Sequence, residues 1–377
     1  MSPTAAHTLR ILMVTPRYFP DMGGVETHVS EVTRRLAHAG ADVTILTTDR
    51  TGRRPASERL DGVSLRRVRA WPARRDYYFA PGIARAITDG PWDVVHCQSY
   101  HTLVAPLAML AARRANIPYV VTFHGGGHSS RLRNALRGGQ SALLRPLLAR
   151  AARLIAIARF EIALYSSRLR LSTDRFVFIP NGAELPCLAQ RAPTHADGAL
   201  IVSVGRLERY KGHHRAITAL PEVLKQRPDA RLRIVGAGPY EPDLRRLAQR
   251  LGLSERVEIG AIPPTDRQGM AALLSSAALV ALLSDYETHP IAALEALALG
   301  RPVLVTHTSG LGELADQGLA RSVPLGSSPA QVASAILEQL RRPLAPARVD
   351  LPSWDDCATN LLQLYHLVVG RSMSCAS

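Results

Sequence analysis

Residues 200–212 read LIVSVGRLERYKG and decide how the second half of the chain is interpreted. The apolar run Leu200–Val204 is typical of a buried strand, and the polar residues after it, closed by glycine, indicate a loop. A helical pattern follows, with Lys211 at its expected start and Arg206 just past the strand. A forked guanidinium and an ammonium beside a helix N-terminus suit a diphosphate.

Two interpretations of these cations are open: they bind an anion, or they are ordinary solvated side chains. Arg206 is one of 44 arginines, which favours solvation for that residue. Lys211 is one of only two lysines, the other being Lys225. Because this chain uses arginine almost wherever a cation is needed, a lysine at 211 favours a specific role.

The strand–loop–helix pattern repeats along the whole chain. The predicted strands are Leu9–Thr15, Asp42–Thr47, Val63–Val68, Val94–Cys97, Tyr119–Phe123, Leu154–Ile157, Phe176–Ile179, Leu200–Val204, Leu232–Val235, Val257–Ile259, Leu279–Leu282, Val303–Val305 and Arg321–Pro324. Continuous apolar strands that alternate with helices predict parallel sheets covered on both faces. We therefore expect an α/β protein with two tandem, Rossmann-like, doubly wound domains and a ligand cleft between them.

The domain boundaries follow from where the pattern is interrupted. Residues 186–198 contain two prolines and no periodicity, so they are expected to form a linker. The expected domains are residues 1–186, which would bind the acceptor, and residues 187–352, which would bind a nucleotide sugar. A last helical segment in residues 353–377 is compatible with either domain.

Composition excludes several classes of protein. The 377 residues are 46% hydrophobic, carry a formal net charge of +15 and contain four scattered cysteines without a CxxC pair. The chain is too long for one compact core, and no apolar run approaches the roughly 18 residues of a membrane span. The cysteines favour a reducing cytosol over a zinc site or disulfides. With 5% aromatic residues and no nucleic-acid motif, nucleic acid is not an expected partner.

Two glycine-rich turns are candidate nucleotide contacts. Gly23–Gly24 follows the first strand and precedes a helix, so it predicts either an anion site or an ordinary tight turn. Gly236 and Gly238 follow another strand, but a dinucleotide fingerprint needs glycine at Glu241. NAD(P) is therefore not expected, although the Gly236/Gly238 turn can still bring backbone close to a nucleotide.

Two glutamates follow the predicted strand Leu279–Leu282. Glu287 lies in the loop at the carboxyl end of that strand, and Glu295 lies inside the next helix, which Gly300 ends. If the eight-residue spacing is helical, it separates the two groups by roughly 12 Å, so these carboxylates could hold two parts of one extended ligand. Glu295 has apolar neighbours such as Ile291 and needs partners, which are either ribose hydroxyls or a local salt bridge.

At these residues the sequence resembles the family-4 retaining glycosyltransferases, which have the two-Rossmann GT-B fold. The resemblance covers nearly the whole chain and rests on six short motifs in order. They are Gly23–Gly24–Val25–Glu26, Thr122–Phe123–His124–Gly125, Ile179–Pro180–Asn181–Gly182, Gly205–Arg206 with Lys211–Gly212, Val235–Gly236–Ala237–Gly238–Pro239, and the glutamates separated by seven residues.

The resemblance implies roles for the donor-binding residues. Arg206 and Lys211, with Gly205 beside them, would bind the donor diphosphate and stabilise the leaving phosphate. Glu295, with Ile291 on the same helix, would bind the ribose.

The remaining family positions lie around the sugar, the acceptor and the base. Glu287 would contact the transferred sugar near the reacting carbon, and His124 would hydrogen-bond that sugar from the other domain. Gly23 and Gly24 would let diphosphate and acceptor approach the first loop. The turn Gly260–Ala261–Ile262 would present backbone to the base. Retention in this family is usually described as a front-face displacement, so no side-chain nucleophile is expected.

Three departures from the family pattern are visible. Thr288–His289–Pro290 stands where Gly-Phe-Gly is common, and Pro290 lacks an N–H; His289 either replaces that donor or fills space. Gly126 and Gly127 extend the His124–Gly125 motif, which predicts a mobile acceptor loop. Ala158 replaces a common serine. No aspartates are separated by one residue, so we expect no metal and no cofactor beyond the donor, UDP- or GDP-linked.

Two arginine-rich segments bear on the acceptor. The leucines within Arg131–Arg153 suggest either a basic amphipathic helix on anionic lipid or a normal domain helix with a solvated arginine face. The second segment either binds a phosphorylated acceptor or is solvated. It comprises Arg66, Arg67, Arg69, Arg74, Arg75, Tyr77 and Tyr78.

The sequence thus predicts a metal-independent, retaining glycosyltransferase. It would move a hexose or N-acetylhexosamine from a nucleoside-diphosphate sugar to a hydroxyl acceptor in the cytoplasm, with or without peripheral membrane association. The alternatives are a UDP-sugar epimerase of the same fold and a non-catalytic nucleotide-sugar-binding subunit.

Overall fold

The computed structural model describes residues 8–21, 23–72, 78–125, 131–183, 199–263, 265–345 and 351–374, the side chains of residues 131–138, 141 and 372–374 excepted. The predicted linker at 186–198 and the glycines at 126 and 127 lie outside these ranges. The chain divides into two compact units. The first takes residues up to 125, residues 136–182 and the segment from 352; the second is built on residues 183–351.

The first unit contains an eight-stranded sheet in the order β3-β4-β2-β1-β5-β6-β7-β8. Its strands are β1 Arg10–Val14, β2 Asp42–Asp49, β3 Ser57–Leu60, β4 Val63–Arg69, β5 Val94–Gln98, β6 Tyr119–Phe123, β7 Arg153–Ala156 and β8 Phe176–Phe178. Its helices are α1 Gly24–His38, α2 Gly82–Thr88, α3 Val104–Arg114, α4 Arg131–Leu148 and α5 Arg159–Leu169, and the last helix of the chain, α12 Trp354–Ser374, also belongs to it.

The central strands are parallel because both of their faces are covered. Strands β1, β5 and β6 are almost entirely buried and mostly apolar, as a doubly covered parallel sheet requires, although β5 also buries His96 and Gln98. Helix α12 packs on α1 and inserts the fully buried Trp354 and Tyr365 into the unit. Strand β3 was not predicted: it pairs antiparallel with β4 through a turn at Asp61–Gly62, and its residues are mostly exposed.

The second unit contains a six-stranded parallel sheet in the order β11-β10-β9-β12-β13-β14. Its strands are β9 Leu200–Val204, β10 Arg231–Val235, β11 Val257–Gly260, β12 Leu279–Leu282, β13 Val303–Thr306 and β14 Arg321–Val323. Its helices are α6 His213–Leu224, α7 Glu241–Arg250, α8 Arg267–Ser276, α9 Ile291–Ala298, α10 Ser309–Asp316 and α11 Pro329–Arg341.

Each sheet reverses its strand order once, which fixes where a ligand can bind. The reversal falls between β1 and β5 in the first unit and between β9 and β12 in the second. Loops that leave neighbouring strands in opposite directions open a crevice at their carboxyl ends. The prediction of two α/β units with parallel sheets is confirmed. None of the helices within the described ranges is long and apolar enough to cross a bilayer.

Candidate functional site

In the second unit, the loop after β9 forms a tight turn that leads into α6. Arg209–Lys211 makes one turn of 3-10 helix, and Gly212 follows with φ +71° as the N-cap of α6. A side chain at Gly212 would be strained at this φ, and its Cβ would overlap the carbonyl oxygen of Leu283 after β12. Glycine at 212 therefore lets the loops on both sides of the strand reversal touch.

Lys211 and Glu287 meet across this contact. The Nζ atom of Lys211 donates to Oε1 of Glu287 at 2.5 Å, and both side chains are more than 80% buried, with 16% and 18% exposed. Ser284 donates its hydroxyl to the same carboxylate oxygen at 3.0 Å. The ammonium also lies 5.3 Å from the centre of the Tyr210 ring. The predicted cation and the first predicted glutamate thus form one charged pair at the carboxyl edge of the sheet, beside the strand reversal.

The loop that carries Glu287 is held by hydrogen bonds at both ends. The backbone N–H of Glu287 donates to Oγ of Ser309 at 2.9 Å, and the carbonyl of Glu287 accepts from the N–H of Gly310 at 2.8 Å. Asp285 donates its N–H to the carbonyl of Tyr210 at 2.7 Å. Contacts from the turn after β9 and from α10 therefore fix the backbone that carries the Glu287 carboxylate.

Arg206 lies on the exposed side of the same turn. Its guanidinium pairs with Glu208 at 2.7 Å and donates to the hydroxyl of Tyr210 at 3.0 Å, and its side chain is 52% exposed. Tyr210 therefore contacts both predicted phosphate-binding cations. The structure brings Arg206, Lys211 and Glu287 together as one cluster.

Glu295 is placed apart from this cluster, within α9. Its carboxylate accepts from Arg267 on α8 at 2.8 Å, and its side chain is 6% exposed. Of the two alternatives for Glu295, the local salt bridge is therefore present in this structure. The Arg267 guanidinium offsets part of the cost of burying the carboxylate. Ile291 lies half-buried at the start of α9, and Ile262 lies half-buried just after β11.

Gly236 and Gly238 have a packing role that was not predicted from the sequence. A Cβ at Gly236 would overlap the carbonyl oxygen of Gly205, and one at Gly238 would crowd the backbone of Leu207. Two hydrogen bonds hold these turns together, from the N–H of Leu207 to the carbonyl of Ala237 and from the N–H of Tyr240 to the carbonyl of Leu207. The two glycines therefore let the Gly205–Leu207 turn and the Ala237–Tyr240 turn pack against each other.

Replacing Gly236 by alanine is expected to lower the free energy of unfolding by about 2–4 kcal/mol, because the new methyl group forces two backbone turns apart. Gly326→Ala is the matched control, since nothing lies within 4 Å of a Cβ at that position. Urea denaturation of both variants measures the difference. Equal stability of the two variants would contradict the packing role.

His213 is the first residue of α6, directly after this turn, and it was not predicted as a site residue. The side chain is buried; its Nδ1 contacts Oγ of Ser203 at 2.9 Å, and its Nε2 faces the carbonyl of Arg206 at 3.3 Å. Burial lowers the pKa of His213 to about 4. In the first unit, burial likewise lowers the pKa of His28 to about 4 and that of His96 well below its usual value.

These buried histidines predict an acid-sensitive fold. Between about pH 6.5 and pH 4 an unfolded histidine binds a proton and the folded one does not, so stability present above pH 6.5 is lost as the pH falls. Lowering the pH from 7 to 5 should cost about 2 kcal/mol for each such histidine. Urea unfolding at both pH values measures the loss, and His213→Gln should reduce it. An unchanged loss in that variant would contradict this assignment.

In the first unit, the Gly23–Gly24 turn opens helix α1. Gly23 is the N-cap residue, with its carbonyl accepting from the N–H of Thr27 at 2.9 Å. Gly24 is exposed, and no atom lies within 4 Å of where its Cβ would stand. No contact inside the described fold requires glycine at 24. The helix N-terminus is open beside Gly24, and its first turn carries the buried carboxylate of Glu26 next to Gly23.

His124 follows β6 and belongs to a buried polar cluster. Its Nε2 contacts Oε1 of Gln98, at the end of β5, at 2.6 Å, and its ring packs edge-on against His28, with ring centres 5.0 Å apart. His28 in turn contacts the amide of Asn181 at 2.7 Å. Gln98 was missed, although a polar residue that ends a buried apolar strand is a usable signal.

The structure describes parts of both arginine-rich segments. In α4, Leu144 and Leu148 are buried in the unit's own core, which favours the ordinary domain helix, while Leu143 is 80% exposed. In the second segment Arg67 and Tyr78 are buried, so the segment is not one solvated patch. Arg74, Arg75 and Tyr77 lie outside the described residues, as do the side chains of Arg131, Arg133 and Arg137.

Two protein-family models match this chain. A model described as Glycosyltransferase Family 4 matches residues 22–185, and one described as Glycosyl transferases group 1 matches residues 189–350. The boundary between the two matches falls in the segment that separates the two sheets.

Among curated relatives, the chain is similar to a glycogen synthase of Mycobacterium tuberculosis, with 30% identity over 396 residues that cover 95% of this chain and 94% of the relative. It is also similar to a D-inositol 3-phosphate glycosyltransferase of Frankia alni, with 28% identity over 361 residues that cover 86% of this chain and 87% of the relative.

Solved structures share the fold. A sucrose-phosphate synthase from Thermosynechococcus elongatus aligns with a TM-score of 0.77 and 22% identity, covering 98% of this chain and 100% of that one. HepE of Anabaena, solved in complex with UDP-glucose, aligns with a TM-score of 0.70 and 17% identity, covering 98% of this chain and 99% of that one. Both of these chains match along nearly their whole length.

Proposed function

The chain belongs to glycosyltransferase family 4, and from that premise we propose that it moves a hexose or an N-acetylhexosamine to a hydroxyl acceptor with retention of configuration and without a metal ion. It is a glycosyltransferase that takes its sugar from a nucleotide sugar. The observation that carries the finer proposal is the Lys211–Glu287 pair, joined at 2.5 Å across the strand reversal of the second unit.

The donor diphosphate would bind at the turn before α6. Lys211 would exchange its contact with Glu287 for the phosphate, and the exposed guanidinium of Arg206 would bind the same group. Both cations, with the N-terminus of α6, would then stabilise the charge that develops on the leaving phosphate. These groups supply the charge that a metal ion supplies in other transferases.

The sugar would lie against Glu287. Once Lys211 turns to the phosphate, the carboxylate can accept hydrogen bonds from sugar hydroxyls and stabilise positive charge at the reacting carbon. The bonds from Ser309 and Gly310 keep its backbone in place during this exchange. In the first unit, we assign His124 to a sugar hydroxyl and Gly24 to close approach of the acceptor.

We assign nucleoside binding to the loop after β11 and to helix α9. Glu295 would accept from the ribose hydroxyls, held in place by Arg267, and the backbone near Ile262 would contact the base. UDP-glucose is the first donor to test because HepE of Anabaena was solved with it. The two relatives described above carry names that specify different reactions, so the acceptor is left to experiment.

The experiment measures donor binding first and turnover second. Thermal unfolding is recorded with UDP-glucose, UDP-GlcNAc, GDP-mannose, UDP and GDP, because a ligand that binds only the folded state raises Tm. The best donor is then incubated with an acceptor panel, and nucleotide release and anomeric configuration are measured. Donor isomerisation without acceptor would instead indicate an epimerase. Binding without turnover on any acceptor would indicate a non-catalytic subunit.

Metal removal is expected to leave transfer intact. Dialysis against EDTA should change kcat by less than about twofold, because the cations and the helix terminus already stabilise the leaving phosphate. Nucleotide release with and without EDTA measures the effect. A loss of activity that added Mg²⁺ or Mn²⁺ restores would contradict metal independence.

A further inference from the structure

The first unit contains a cavity that the proposed chemistry does not use. It has a volume of about 490 Å³, within the usual range of small-molecule sites. One wall is the middle of α1, another is β2 and the β3–β4 hairpin, and the loop after β1 closes the end. The hairpin that the sequence did not predict therefore builds one side of this space.

The cavity walls are mostly apolar. Tyr18, Ile45 and Leu65 are buried side chains that line it, and Leu60 stands at the rim with 38% exposure. Three arginines also line it, but each is already paired with a carboxylate: Arg34 with Glu31, Arg54 with Asp21 and Arg67 with Glu58. Because these charges are matched within the fold, the cavity suits an apolar group rather than an anion.

Arg67 is fixed in the cavity wall by its own hydrogen bonds. Its side chain is 4% exposed, and its terminal nitrogen atoms donate to Glu58 and to the carbonyls of Phe19 and Pro55. Its Nε–H is buried and has no partner within the described part of the chain. Because this nitrogen has almost no accessible surface, Arg67 contributes to the wall and offers no free donor to a ligand.

The cavity lies close to the proposed acceptor end of this unit. Ser30 lines it and stands six residues after Gly24 on α1, about 9 Å along the helix axis. The loop from Tyr18 to Pro20 that closes the cavity continues directly to Gly23. An acceptor whose hydroxyl reacts near Gly24 would place a second group, about 10 Å away, in this space.

We propose that this cavity binds an apolar aglycone of the acceptor. The inference rests on the proposed function, because it needs an acceptor at α1. It gives the acceptor a chemical class: an amphiphile with a hydroxylated head and an aliphatic or aromatic tail.

Binding of n-octyl β-D-glucoside and methyl β-D-glucoside to the full chain, by calorimetry below the micellar concentration, tests the proposal. Each buried methylene should tighten binding about fourfold, so burial of three should favour the octyl compound about 60-fold. Ser30→Phe fills the cavity and should bring the two compounds within about threefold of each other. Ser167→Phe, on the exposed face of α5, is the matched control and should keep the preference.

A second variant keeps the test valid if Ser30→Phe does not fold. Leu60→Glu places a charge at the exposed rim and should weaken only the octyl compound. Equal affinity of the two glucosides for the wild-type chain, or an unchanged preference in both variants, would overturn the proposal. UDP-glucose binding without an octyl preference rejects this inference and leaves the proposed function standing. An octyl preference without binding of any donor nucleotide rejects the proposed function, and the acceptor role with it.

Discussion

Replacing Lys211 by methionine is expected to lower kcat by about 10²–10³-fold, the usual loss when one preorganised charge contact to a transition state is removed. Lys211 lies beside the N-terminus of α6 and 2.5 Å from Glu287, so it is the cation best placed for the leaving phosphate. Methionine keeps the length of the side chain and its packing on Tyr210 but cannot carry charge. Nucleotide release under saturating donor and acceptor measures the loss.

The chain offers a matched control for this variant. Its other lysine, Lys225, pairs with Glu222 at 2.7 Å but is 68% exposed, so Lys225→Met should leave kcat unchanged. Loss of Lys211 also leaves Glu287 partly buried without its cation, which lowers stability. The double variant Lys211→Met with Glu287→Gln removes that penalty and should regain stability without regaining activity. Near-normal turnover in the single variant would remove Lys211 from the mechanism.

Glu287→Gln should lower kcat by about 10²–10³-fold while the fold stays intact, because it removes one preorganised charge from the sugar site. Glutamine preserves an oxygen that can accept from Lys211 and Ser284, so the loop keeps its hydrogen bonds. The neutral amide of glutamine cannot stabilise positive charge at the reacting carbon. Single-turnover measurement of transfer, with Tm recorded alongside, separates a chemical effect from a structural one.

Glu222→Gln is the control, since Glu222 is an exposed member of the surface pair with Lys225. It should retain full kcat and the wild-type Tm. If Glu287→Gln instead raised KM and left kcat unchanged, Glu287 would bind the sugar equally in ground and transition states. That result would move the charge-stabilising role to another group.

The sheets were predictable because a strand buried on both faces has to be apolar along its length. Strands such as Leu200–Val204 and Tyr119–Phe123 were predicted with their observed bounds. The hairpin strand Ser57–Leu60 was missed because its sequence, SERL, is polar and its residues are mostly exposed. Edge strands of this kind carry no hydrophobic pattern to detect.

The site was only partly predictable because its contacts depend on strand order. Lys211 was expected at the start of the helix after one strand and Glu287 in the loop after another, but their pairing requires β9 and β12 to be neighbours across the reversal. The pairing of Glu295 with Arg267 joins two helices and has no sequence signature. The packing of Gly236 on Gly205 has none either, and a turn glycine alone does not indicate whether it faces a ligand or another turn.

Helix α12 has a consequence for how the protein is made. Its Trp354 and Tyr365 fill the core of the first unit, and the Tyr365 hydroxyl contacts His96 on β5 at 2.6 Å. The ribosome therefore synthesises all of the second unit before it supplies the last piece of the first. A nascent chain that ends near residue 183 presents an unfinished hydrophobic face, so premature stop codons late in the message damage the earliest-made half of the enzyme.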